Sequence, residues 1–184
     1  MASDSQTTPH PDDVEAYVVY RSRFEEFYQL FAVWKYLREE ADVPPETRKE
    51  LAATVRMALM VWLHSFFDEV PKTLNVLDLW PRVFPWRADE IAALKMEIAP
   101  QLDMLARFRH QTGAHASRRI SAHNTARKAL SGPEMTEAMN RFFALAEQMA
   151  ADEGRVPGLC QELDSWGLRK GHDPAWKMPE SGER

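Results

Sequence analysis

The sequence predicts an all-α protein, an antiparallel helical bundle, and three observations support this prediction. Neither proline nor glycine occurs between Pro11 and Pro44 or between Pro45 and Pro71, which leaves two long segments without helix breakers. In the first segment, apolar residues recur at the spacing of one helix face. Met and Phe recur at the same spacing in residues 133–153, a segment that opens with a proline, as a first helical turn often does.

The first two helices are predicted near residues 12–40 and 46–69, and the short connector between them predicts antiparallel packing. The apolar face of the first helix comprises Val14, Tyr17, Val18, Phe24, Phe27, Tyr28, Phe31 and Trp34. Charged residues, Arg21 among them, occupy the positions between. The second helix contains MALMVWL (57–63), which is apolar on every side and therefore predicts a helix at the centre of the bundle.

His64 lies in the second predicted helix, four residues before Asp68, so the two side chains share one helix face. We interpret His64 as a structural histidine held by its neighbour or by a backbone carbonyl. A ligand or catalytic role is the alternative, but no other candidate ligand or catalytic group lies near His64 in the sequence to favour it.

Residues 72–86 contain two prolines and little periodicity, so we expect a packed connector with Trp80 and Trp86 as core anchors. The helical pattern resumes at Arg87, and residues 133–153 are expected to bury one stripe. That stripe comprises Met135, Met139, Phe142, Leu145 and Met149.

The predicted domain organisation is a disordered N-terminus (1–11), a helical bundle (12–152) and a loop-rich tail (153–184). Five of the seven glycines fall between residues 154 and 182, which predicts the tail. Trp166 and Trp176 suggest that part of the tail docks on the bundle.

The cysteine count and the apolar content of the chain bear on the cellular compartment that we expect. The single cysteine, Cys160, excludes an intramolecular disulfide, and the polar start of the chain does not resemble a signal peptide. No stretch approaches the roughly 18 consecutive apolar residues of a membrane span, so we expect a cytoplasmic protein.

Positive charge is concentrated in one window of this acidic chain. Residues 104–133 contain six Lys and Arg and no carboxylate, so the window carries +6 while the rest of the chain, 17 Lys and Arg against 28 Asp and Glu, carries −11. Such segregation is typical of a surface for an anionic partner, above all RNA or DNA. The alternative is a solvated face whose counter-charges come from neighbouring acidic helices.

Arg109 is the unusual residue of this window. On a helical wheel that starts at Ile91, the apolar positions 94, 98, 102 and 105 form one stripe, and Arg109 continues it while Arg107 points the other way. A guanidinium on the core side requires an anionic partner. Gly113 then offers a break before His115. The segment that follows has only Ile120 and Leu130 as large apolar residues, so it is either a poorly packed connector or a polar surface kept for a ligand, and its basic charge favours the surface.

The stretch RHQTGAH (109–115) resembles the signature of HEPN domains, in which an arginine is followed by a polar residue and then a histidine. In this sequence those positions are Arg109, His110 and His115. The order of helices before the motif is similar to the abortive-infection branch of that family. The resemblance implies an endoribonuclease without metal or other cofactor, with these three residues as the catalytic set. It also implies a homodimer whose interface lies next to the basic window, and it allows an antitoxin protein as a partner.

The chemistry suits these residue types. Histidine exchanges a proton near neutral pH, and arginine stabilises charge on a phosphate. Four further cations are predicted to contact RNA phosphates, namely Arg118, Arg119, Arg127 and Lys128. Three alternatives remain: an inert HEPN scaffold that binds RNA, nucleotide or protein, a metal site at His110, His115 and His123, and a DNA-binding helix-turn-helix.

Overall fold

The computed structural model describes residues 8–39, 42–67, 75–108 and 132–168. These residues form six α-helices and contain no strand, which confirms the predicted all-α class. The helices are α1 (Pro11–Glu39), α2 (Pro45–Ser65), α3 (Val76–Val83), α4 (Ala88–Phe108), α5 (Pro133–Asp152) and α6 (Leu159–Ser165). Two single 3₁₀ turns, Pro85–Arg87 and Glu153–Arg155, precede α4 and follow α5.

The first two helices form a hairpin, as predicted. The bounds of α1 and α2 match the predicted segments closely, and α1 packs most extensively against α2. Prolines mark the first turn of both helices, where a missing backbone N–H costs no hydrogen bond. Because the connector is short, the two helices run antiparallel.

The predicted connector is wrong in one part, since residues 76–83 form the regular helix α3. Asn75 caps this helix by accepting a hydrogen bond from the backbone N–H of Leu77 at 2.9 Å. Pro81 lies inside the helix and removes one backbone hydrogen bond, but five of the eight residues are buried. Burial of this apolar face outweighs the poor intrinsic propensity. Trp80 is fully buried, as predicted.

The centre of the core is aromatic. The ring of Phe142 on α5 stacks on Trp80 at 5.3 Å between centroids and meets Phe67 edge-on at 4.7 Å. Phe24 of α1 stacks on Phe66 at 4.3 Å. All five residues of the predicted α5 stripe are buried, as the sequence pattern indicated.

The predicted start of the loop-rich tail, at residue 153, lies too early in the chain. Residues 153–168 form a 3₁₀ turn and α6, and their apolar side chains belong to the main core. The buried members are Val156, Leu159, Leu163 and Leu168. Glycine content misled the prediction, because Gly158 and Gly167 adopt positive φ angles of 80° and 68° at the two ends of this short helix. Part of the tail thus docks on the bundle, as predicted, but not through Trp166, which is 52% exposed; Trp176 lies outside the described residues.

The described residues do not surround α2 on every side, so its predicted place at the centre of the bundle stays a prediction. Leu59 and Leu63 are buried, but Val61 lies in the same apolar run and is exposed. Besides α1, α2 contacts α4, and among the described residues one side of its apolar surface remains uncovered. None of the helices in the described ranges is both long enough and apolar enough to cross a membrane.

Candidate functional site

The seven predicted site residues lie outside the described residues. Arg109, His110 and His115 follow the last described residue of α4, and the predicted phosphate contacts lie further along the same segment, at Arg118, Arg119, Arg127 and Lys128. Their roles therefore stay predictions. His123, the third histidine of the alternative metal site, lies outside the described ranges as well.

The helix that leads into the motif has the predicted orientation. Ile91, Leu94, Ile98 and Leu105 of α4 are buried, so the apolar stripe faces the core, and Arg107 is exposed. The helix is continuous through Pro100. Proline removes the N–H that would bond the carbonyl of residue 96, but both residues lie on the solvent side, where such a carbonyl is open to hydration.

Within the described residues, the most buried ionic group joins α1 to the turn after α5. Arg21 and Glu153 are 3% and 2% exposed. Arg21 Nε donates to Glu153 Oε1 at 2.8 Å, and the hydroxyl of Tyr17 donates to the same oxygen at 2.9 Å. Arg21 also contacts Glu25 one turn along α1, at 3.4 Å. Glu153 Oε2 is buried without a hydrogen-bond partner.

The neighbouring residue, Asp152, anchors a second ionic group. Its Oδ2 atom accepts from Trp86 Nε1 at 3.0 Å and from Arg87 Nε at 2.8 Å, and its Oδ1 atom accepts from Arg155 at 3.3 Å. The guanidinium of Arg155 lies over the ring of Trp86, 4.4 Å from its centroid. Trp86 is thus held by an ion cluster at the edge of the core. Asp152 and Glu153, adjacent in the chain, tie the end of α5 to the start of α4 and to α1.

The surroundings of these groups fix their protonation. Burial, followed by the negative charge of Glu153, raises the pKa of Tyr17 well above its usual value, so its hydroxyl stays a donor. Burial alone would raise the pKa of Asp152. The hydrogen bonds from Trp86, Arg87 and Arg155 outweigh it and lower that pKa, so Asp152 stays an anion.

Groups held in one protonation state are poor proton carriers near neutral pH, so these two clusters act as structural ties between helices. Sequence reasoning treated Arg21 as an ordinary polar residue between apolar ones, although it lies four residues after Tyr17 and three before Phe24, on the apolar face. That spacing is the signal that could have identified a buried cation. No comparable signal marks Glu153.

His64 is buried in α2, in keeping with its interpretation as a structural histidine, and Asp68 lies outside the described residues. Among the residues that the structure describes, no group of three or more His, Cys, Asp or Glu side chains is arranged to hold a metal ion.

Comparisons with known proteins yield no relative. No protein-family model matches the chain, and searches of curated proteins and of solved structures find no significant match.

Proposed function

We propose that this protein is a HEPN-like, metal-independent endoribonuclease that acts as a toxin or phage-defence effector. The observation that carries the proposal is the Arg109-His110-x₄-His115 motif inside a 30-residue window that has six cations and no carboxylate. An anionic polymer is the ligand that such a window attracts most strongly.

The context of the motif supports the proposal. The chain reaches the motif from the end of a helix whose apolar stripe is buried as far as Leu105, four residues before Arg109. The helices that precede it, a long hairpin, a short helix and a second long helix, are of the all-α class that the proposal requires. The described bundle itself offers ionic groups that tie helices together, which leaves the basic window as the chemically distinct part of the chain.

The reaction needs little beyond these residues. The 2′-hydroxyl of RNA attacks the adjacent phosphorus, its proton passes to a base, and the 5′-oxygen of the next nucleotide leaves with a proton from an acid. His115 moves the proton, Arg109 stabilises the phosphorane-like charge, and His110 orients them or a neighbouring phosphate. Two subunits would supply two histidines, one as base and one as acid. The products end in a 2′,3′-cyclic phosphate and a 5′-hydroxyl.

The decisive assay compares wild type with His115→Ala on single-stranded RNA in excess EDTA. We expect wild-type cleavage to persist and His115→Ala to reduce its rate about 100-fold or more, as for the loss of a general acid or base. His123→Ala is the matched control, because it removes a histidine from the same window but not from the motif. Equal cleavage by wild type and His115→Ala would contradict the proposed site. Binding without cleavage of any RNA would favour the inert scaffold.

RNA binding is tested separately from cleavage. Reversing Arg118 and Arg119 to glutamate is expected to weaken binding to unrelated RNAs alike. It should also lower the slope of log affinity against log salt by about 1.4, because each neutralised phosphate of a single strand contributes roughly 0.7 to that slope. The control reverses Arg38 and Lys49, two exposed cations on the α1–α2 hairpin, and so changes the net charge equally. Identical salt slopes for the two double variants would show that the window does not contact phosphate.

A further inference from the structure

We draw no further inference here: the strongest candidate, the exposed apolar side of α2 that includes Leu51 and Val61, supports no proposal because nothing in the structure shows what covers it.

Discussion

Substitution of Arg21 by methionine tests the buried ion pair between α1 and the turn after α5. Methionine fills much of the volume of the arginine stem but removes the cation, so it leaves the Glu153 carboxyl group, 2% exposed, with the hydrogen bond from Tyr17 but without its positive partner. Removing one partner of a buried pair costs about 3–5 kcal/mol because the other charge is left uncompensated. This is a large part of the total stability of a domain, which is typically about 5–15 kcal/mol.

Urea denaturation followed by circular dichroism measures this loss. At a slope of about 2 kcal/mol per molar urea, a loss of about 4 kcal/mol lowers the midpoint by about 2 M. Arg141→Met is the matched control, since Arg141 also contacts two carboxylates, Glu97 and Glu137, but at the surface. We expect the control to leave the midpoint nearly unchanged, because water solvates both partners of an exposed pair.

Two further variants isolate the pairwise interaction. Glu153→Gln keeps an oxygen acceptor for Arg21 and Tyr17 and is expected to cost less, about 1–3 kcal/mol. The double variant Arg21→Met/Glu153→Met removes both charges and is expected to be more stable than Arg21→Met alone. If Arg21→Met shifts the midpoint no more than Arg141→Met does, the Arg21–Glu153 pair is solvated and the reasoning is refuted.

Three more predictions concern single residues. Because the pKa of Asp152 is lowered in the folded state, its stabilising contribution is complete above the unfolded value of about 4 and is lost as the pH falls through the folded value. Asp152→Asn should therefore reduce the loss of folding stability at acid pH, whereas the control Asp103→Asn, at an exposed position, should not. Phe142→Ala, at a fully buried ring, should cost about 3–5 kcal/mol in urea denaturation, whereas Met96→Ala should cost nothing measurable. Asn75→Ala should cost about 1 kcal/mol, and Asn75→Asp should restore only part of the loss, because aspartate also caps a helix but cannot donate to the carbonyl of Phe67 as the Asn75 amide does. An unchanged midpoint in Asn75→Ala would show that the cap is dispensable.

Periodicity predicted most of the helices and their buried faces. The intervals in α1 and α5 identified residues such as Phe24 and Phe142 as core, because the repeat of a helix is local and two to three turns suffice to reveal it. The same reasoning oriented α4, whose stripe is buried as far as Leu105. Trp80 was also recognised as a core anchor, because a large apolar ring in a short, polar-poor segment has few other uses.

By itself, the sequence determined the helical class, the α1–α2 hairpin, the inward stripes of α4 and α5 and the separation of the basic window from an acidic chain. Only the tertiary structure decided that residues 76–83 are helical, that residues 159–168 join the core and that Arg21 meets Glu153. The physical reason is the distance along the chain over which each feature is determined. Helical periodicity depends on neighbours three or four residues apart, whereas burial of a short helix or of a charge depends on partners more than a hundred residues away, as for Arg21 and Glu153. An apolar surface tells which side of α2 avoids water, but the arrangement of the other helices decides whether that side is covered.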